Sequence, residues 1–157
     1  MEISFSAKGR LQIDDARLIF RNFAGRATEY NSEGDRNFAV IIPNEDIASQ
    51  LEDAGWNVKT YPPRDEGETP LMTLKVKISD RFWTPKFYLN SNGRVREIPF
   101  GEELKIFDNV DIISVSLDVS PSHWQRNGRE GQSAYLRTIE VIQEVDRFAA
   151  RYAANEE

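Results

Sequence analysis

The sequence predicts a mainly β fold with one or two short helices and long loops. Three observations support this prediction: segments of alternating apolar and polar residues recur, one stretch in the middle of the chain has a helical pattern, and the connections are rich in Gly, Pro, Asn and Ser. The length of 157 residues and the hydrophobic content of 39% fit one domain. We therefore expect residues 1–157 to fold as a single unit.

The first two strands are predicted at residues 16–22 and 36–42. Leu18 and Phe20 fall on one face of the first strand, and Phe38 shares its face of the second with aliphatic residues. We therefore expect Phe20 and Phe38 to be core aromatics. The intervening NSEGD supplies the Gly and Asn that a hairpin turn uses.

The strongest alternation is the segment LMTLKVKIS, residues 71–79. Its aliphatic residues form a core face, so Lys75 and Lys77 must share the opposite face. Their ammonium groups would then lie about 6 to 7 Å apart along the strand, close to the phosphate spacing of a stretched nucleic acid. A plain solvated strand edge would give the same pattern.

Two long strands are predicted in the last third of the chain, at residues 110–119 and 133–145. The second is rich in β-branched residues and places Tyr135 and Arg137 on one side. The connection between them, PSHWQRNGREGQS, has the composition of a long loop.

One helix is predicted in the middle of the chain, because Asn44 can cap it, acidic residues occupy its first turn, and Gly55 follows its apolar pattern. A second is predicted at residues 146–154, where Phe148 and Tyr152 are four apart. About five strands with a capping helix and long loops match a small closed or half-closed barrel. The leading architecture is a five-stranded barrel like the oligonucleotide/oligosaccharide-binding (OB) fold.

The composition excludes several classes of protein. The chain contains no cysteine, so disulfides, thiolate metal sites and cysteine nucleophiles are ruled out. No apolar run approaches the roughly 20 residues of a membrane span, and the N-terminus lacks the pattern of a signal peptide. We expect a cytoplasmic protein without a membrane partner.

The net charge of -6 argues at first against a nucleic-acid partner. The charge is nevertheless zoned along the chain. Residues 71–96 hold six basic residues and one acidic residue, whereas residues 41–70 and 97–120 are rich in acids. This distribution permits a basic groove on an acidic body.

The segment FRNFAGRATEYNSEGDRNFAV, residues 20–40, interleaves four aromatic rings with three arginines. Aromatic faces stack on unpaired bases and guanidinium groups hold phosphates, so this mixture favours single-stranded nucleic acid over a small-molecule ligand. Trp83 strengthens the hypothesis, because a tryptophan in a basic loop is costly to expose without a partner.

The candidate binding residues are of two kinds, rings for stacking and cations for the backbone. The rings are Phe23, Tyr30, Trp83, Tyr88, Trp124 and Tyr135. The cations are Arg21, Arg26, Arg36, Lys75, Lys77, Lys86, Arg126 and Arg137.

Several of these residues also have a structural explanation. Phe23 and Tyr30 could pack beneath a loop, and Arg36 could pair with a neighbouring acid. Trp124 could pack on the rim of a barrel, and we expect Trp56 in the core.

Catalysis has little support in the sequence. The single histidine, His123, has no recognisable nucleophile or third partner, and the glycines form no phosphate-binding loop. We expect no metal and no cofactor. Two other functions stay open: a protein-interaction module on the same barrel, and a metal-dependent nuclease that uses the acidic loops.

The segments FRNFAG, YNSEGDRNFAV, GWNVK followed by PPRDEGE, and VDIISVSLDVSPSHW followed by AYLRTI resemble short single-stranded DNA-binding proteins of tailed bacteriophages. The resemblance spans roughly residues 20–139. It implies an OB fold, single-stranded DNA as partner, a role in replication and recombination with the proteins of those processes, and a homodimer. Many such proteins have a long acidic tail, whereas this chain ends in YAANEE, so the resemblance does not extend to recruitment by a tail.

Overall fold

The computed structural model describes residues 1–145, so the helix predicted at residues 146–154 lies outside the described part of the chain. Ten strands, one α-helix and one 3₁₀ helix are present in residues 1–145. The strands are β1 (Glu2–Phe5), β2 (Leu11–Ala16), β3 (Leu18–Asn22), β4 (Arg36–Ile42), β5 (Val58–Tyr61), β6 (Leu71–Ile78), β7 (Lys86–Ser91), β8 (Arg94–Ile98), β9 (Ile112–Arg126) and β10 (Arg129–Gln143). The helices are α1 (Glu45–Asp53) and the 3₁₀ helix Glu102–Asp108.

The strands form one sheet in the order β1-β2-β9-β10-β6-β4-β3, with β5 paired to β6, β7 paired to β10, and β8 paired to β7. Strand β10 runs parallel to β6 and β7, and the other pairs are antiparallel. The mainly β prediction is confirmed. The predicted five-stranded barrel is corrected, because within residues 1–145 the pairing stays open between β1 and β3. Short strands such as β5 and β8 have too little alternation to be recognised in the sequence.

The long hairpin of β9 and β10 occupies the centre of the strand order. Asn127 and Gly128 close it with φ values of 53° and 77°, the positive values that a two-residue hairpin turn requires. Arg126 and Arg129 lie opposite each other directly beside this turn. The segment expected to be a long loop is therefore mostly strand, because an Asn-Gly turn shortens the connection to two residues.

Four phenylalanine rings meet in the core. Phe23 stacks in parallel on Phe38 with 5.0 Å between ring centres, and it also contacts Phe87 and Phe107. The Phe23 side chain is 0% exposed. Asp108 holds the residue in place, because its carboxylate accepts hydrogen bonds from the backbone N–H groups of Phe23 and Ala24. Phe23 thus has no face open to a base, and the stacking role expected for it is replaced by a core role.

Phe20 was expected in the core but lies at the surface, the reverse of Phe23. Phe38 and Trp56 are buried, as expected, but Phe20 is 54% exposed. The pairing of β3 with β4 shifts register between Ile19 and Asn22, and Phe20 has a φ of 54° there. The bulge inserts one extra residue into β3, so the alternation that predicted a buried Phe20 does not hold across it.

Two of the candidate cations have structural partners. The Nη1 atom of Arg21 donates to the carbonyl oxygens of Phe107 and Val110 at 2.9 and 2.8 Å. The Nη1 atom of Arg36 donates to the carbonyl oxygen of Phe23 at 2.6 Å, and its guanidinium lies 5.5 Å from the centre of the Phe100 ring. Both side chains are half-buried and fasten loops to the core. We therefore assign Arg21 and Arg36 a structural role rather than contact with the phosphates of a nucleic acid.

Helix α1 forms where the sequence predicts it. The Asn44 side chain accepts a hydrogen bond from the Ile47 backbone N–H at 2.9 Å, which caps the first turn. Ala48 and Leu51 are buried, and Gly55 follows the helix with a φ of 91°. In residues 1–145 no helix is long and apolar enough to span a membrane.

The core role of Phe23 can be tested by Phe23→Ala. Loss of a buried ring leaves a cavity, so the free energy of unfolding should fall by about 3 to 5 kcal/mol in urea denaturation. Tyr30→Ala is the matched control, since that side chain is 92% exposed and its loss should change stability by less than about 0.5 kcal/mol. Unchanged stability of Phe23→Ala together with weakened oligonucleotide binding would contradict the core assignment.

Candidate nucleic-acid interface

One side of the sheet carries rings and cations together. On β6, Leu74 and Val76 point into the core while Lys75 and Lys77 are exposed on the other side, as predicted. Lys77 lies opposite Tyr135 on β10, and its Nζ atom is 5.8 Å from the centre of the Tyr135 ring. A lysine and an aromatic ring from different strands therefore meet on one surface.

Trp83 is attached to this surface by two contacts. Its Nε1 atom donates to the carbonyl oxygen of Leu136 at 2.9 Å, and the Arg137 guanidinium carbon lies 4.1 Å from the ring centre. The pairing of β9 with β10 shifts register between Leu136 and Thr138, which places Arg137 at a β-bulge. The Nε atom of Arg137 in turn donates to the Ser120 hydroxyl. The bulge thus positions an arginine and a tryptophan as a stacked pair.

Arg81 and Phe82 complete this group, although neither is among the binding residues predicted from the sequence. Phe82 is 63% exposed and meets the Tyr135 ring edge to face at 6.4 Å. It also lies 6.2 Å from the Trp83 ring, and the Arg81 guanidinium is 5.5 Å from the Phe82 ring centre. The sequence pattern that could have identified them is in the loop SDRFWTP, where Arg81 and Phe82 directly precede Trp83. We call the group the ring–cation cluster: Lys77, Arg81, Phe82, Trp83, Tyr135 and Arg137.

The same surface continues along the β9–β10 hairpin to its tip. Residues directly opposite each other in an antiparallel pair share a face, and so does every second residue of a strand. Alternate pairs along the hairpin therefore form a row on the same side of the sheet as Tyr135. The opposed pairs are Ser120–Tyr135, Ser122–Ser133, Trp124–Gly131 and Arg126–Arg129. Trp124 is 45% exposed, and its indole lies over Gly131 so closely that a side chain at 131 would collide with it. Small residues therefore separate the two rings, Tyr135 and Trp124, and two arginines end the row.

An open cleft of ≈ 500 Å³ lies beside Trp124. It lies between the hairpin and the turn after α1, with Trp56, Asn57 and Gln132 among its lining residues. Glu52 and Glu130 also line the cleft, so it combines the Trp124 ring and Arg129 with two carboxylates.

The loop between β3 and β4 lies next to Lys77. Asn37 lies opposite Lys77, and its side-chain amide donates to the Asn31 side chain at 2.9 Å. Asn31 in turn donates to the backbone oxygens of Arg26 and Asp35. Arg26 and Tyr30 are exposed on this segment, which is fastened beside the ring–cation cluster, and so are the acidic residues Glu29, Glu33 and Asp35.

Lys86 and Tyr88 lie on β7, beyond the bulge. Lys86 is exposed opposite Thr138, whereas Tyr88 lies between Glu140 on β10 and Glu97 on β8. Carboxylates on both sides would repel a phosphate, so the surface around Tyr88 is less suited to a nucleic acid than the cluster is. The structure does not bring Tyr88 together with the other candidate rings.

The arrangement suits binding by stacking and charge. In residues 1–145 no group of three or more His, Cys, Asp or Glu residues is close enough to hold a metal ion. His123 is exposed on β9, opposite Gln132. The groups gathered here are ammonium and guanidinium donors and aromatic faces, the elements that hold single-stranded nucleic acids.

Comparison with known proteins gives one family and one group of structures. A family model described as a putative phage ssDNA-binding domain matches residues 3–157. No curated protein matches. Among solved structures, the chain is similar to the single-stranded DNA-binding protein from bacteriophage Enc34 in complex with ssDNA, with 12% identity, a TM-score of 0.58 and 90% of each chain covered.

A C-terminal truncation of the same Enc34 protein gives 13% identity and a TM-score of 0.57, with 89% of this chain and 88% of that chain covered. At such low identity the structural likeness shows a shared fold. The family model, in contrast, spans almost the whole sequence. The chain therefore belongs to the phage ssDNA-binding domain family.

Proposed function

We propose that this chain is a non-catalytic, sequence-tolerant single-stranded DNA-binding protein that acts on exposed strands during phage replication and recombination in the host cytoplasm. We further propose that residues 1–157 form one domain of the OB type, elaborated by extra strands. The ring–cation cluster is the observation that supports the function most. The similar protein from bacteriophage Enc34 is described as an ssDNA-binding protein, and its structure was solved in complex with ssDNA, which agrees with the proposed function.

The ring–cation cluster and the β9–β10 hairpin favour single strands over duplex DNA because together they expose aromatic rings. Phe82 of the cluster and Trp124 of the hairpin present large apolar surface to solvent, and Trp83 and Tyr135 are half-buried. Unpaired bases can stack on such rings, whereas the bases of a duplex already stack on one another. Stacking uses the π-face that all bases share, which makes the binding tolerant of sequence.

The cations of this surface would contact successive phosphates of the DNA backbone. Lys75 and Lys77 follow one face of β6, Arg81 and Arg137 flank the rings, and Arg126 lies at the hairpin tip. The Debye length at physiological salt is about 8 Å, so a bound strand senses these nearby cations far more than the net charge of the whole chain. An acidic protein can therefore bind DNA through a local basic surface.

Intrinsic tryptophan fluorescence tests the proposal directly. Titration with an oligo(dT) of about 30 nucleotides should quench emission from Trp83 and Trp124, duplex DNA of equal length should quench less, and salt should reverse the effect. An absence of any response in folded protein, combined with a shift on gel filtration in the presence of replication proteins, would instead favour a protein-interaction module.

The division between rings and cations predicts two distinct mutant phenotypes. Phe82→Ala should weaken binding by about 1 to 3 kcal/mol without changing the salt dependence, because it removes stacking alone. Lys75→Ala should reduce the slope of log affinity against log salt by about 0.7, because one phosphate contact is lost.

The controls for these two variants come from the strand at the end of the strand order, three strands from β10. Phe5 is an exposed phenylalanine on β1, and Lys8 is an exposed lysine in the turn after it. Phe5→Ala and Lys8→Ala should therefore leave both affinity and salt slope unchanged. Identical behaviour of Phe82→Ala and Lys75→Ala would contradict the assigned roles.

A further inference from the structure

A second group of rings with a cation lies outside the surface described above. The Phe20 and Tyr61 rings meet edge to face with 5.7 Å between centres, and the Lys59 Nζ atom lies 4.7 Å from the Tyr61 ring centre. Phe20 and Lys59 are exposed, and Tyr61 is half-buried. This group resembles the ring–cation cluster on a smaller scale, because it has two rings in contact and a cation over one of them.

The exposure of Phe20 comes at a conformational cost. A φ of 54° belongs to the left-handed region, which is unfavourable for a residue with a bulky side chain. Burial of the ring in the core would offset that cost, yet more than half of the Phe20 side chain remains in solvent. The bulge in β3 thus holds an aromatic ring outward, which is the kind of local strain that proteins keep at binding sites.

The second group lies on the same side of the sheet as the lysines of β6. Lys59 is opposite Thr73, and Thr73, Lys75 and Lys77 alternate along one face. Side chains of one face repeat every 6 to 7 Å, so the Lys59 position is about 13 Å along the strand from Lys77. Tyr61, two residues further, shares this face at about 20 Å.

The sheet is continuous between the two groups. Strand β10 pairs with β6 only at Ala134 and Tyr135, and β5 takes the same edge of β6 from Leu71 to Leu74. Past Lys75, the next strand along that edge of β6 is therefore β5. The row Lys77, Lys75, Lys59 supplies a cation at each step in that direction.

We propose that Phe20, Lys59 and Tyr61 form a second subsite for the same single strand, about 20 Å from the ring–cation cluster. Phe20 and Tyr61 stack bases there, and Lys59 contacts a phosphate. This inference rests on the proposed function and extends it, because it predicts that a strand must bridge both groups to bind with full affinity.

The test compares strands of two lengths, oligo(dT) of about 3 and about 16 nucleotides. At about 6 to 7 Å per nucleotide the shorter strand spans about 13 Å and does not reach across the roughly 20 Å between the two groups, whereas the longer strand does. Phe20→Gly and Tyr61→Ala should each weaken binding of the longer strand about tenfold, the effect of one lost stacking contact. Binding of the shorter strand, which the ring–cation cluster accommodates alone, should change less than about twofold. Phe5→Ala is the control and should change neither.

Phe20→Gly also separates binding from folding. Glycine adopts positive φ freely, so this variant should match or exceed the thermal stability of the wild type while it loses affinity for the longer strand. Lys59→Ala, on an exposed side chain, should lower the salt slope for the longer strand by about 0.7, whereas Lys8→Ala should not.

The outcomes distinguish the subsite from the function it extends. Tight binding of the longer strand by all three variants, with weakened binding by Phe82→Ala, would overturn the second subsite and leave the proposed function standing. An equal loss for both strand lengths would also overturn it. Failure of the wild type to bind either strand would remove the proposed function itself.

Discussion

The candidate interface depends on the attachment of the Trp83 indole to strand β10. The hydrogen bond from Trp83 to the Leu136 carbonyl and the stacking of Arg137 on the indole join the loop after β6 to the centre of the sheet. The β-bulge at Arg137 makes both contacts available, and Ser120 orients the guanidinium. This attachment holds the loop, and with it Phe82, against Tyr135. The interface is thus organised by part-buried polar contacts rather than by its most exposed residues.

The partners of each cation distinguish scaffold from interface. The guanidinium of Arg21 donates to two backbone carbonyl oxygens, so its hydrogen-bonding capacity serves the fold. Lys77 and Arg81 lie over aromatic rings instead. A cation over a ring is held in place by the π-face and keeps N–H donors for a phosphate. Aromatic contacts therefore place positive charge on the surface without neutralising it, which an acidic protein requires in order to bind a polyanion.

The sequence predicts those features that follow from local periodicity. The alternation around Lys75 and Lys77 and the capping of α1 by Asn44 were both recoverable, because each depends on neighbours in the chain. Phe20 was expected in the core and Phe23 was expected to stack on bases, and the structure exposes Phe20 and buries Phe23. The register shift between Ile19 and Asn22 includes Phe20, and periodicity cannot detect it. The contact of Trp83 with Leu136 joins residues 53 positions apart, and no local pattern encodes it. Sequence therefore identified most of the cluster's chemistry but not how it is assembled.

The most direct test is photo-crosslinking of the protein to an oligo(dT) that carries 5-iodouracil, followed by mass spectrometry of the crosslinked peptides. Base stacking on the cluster predicts adducts at Phe82, Trp83 or Tyr135, each suppressed by unlabelled single strand and not by duplex. Adducts confined to β1 or β8, on other parts of the sheet, would contradict the account.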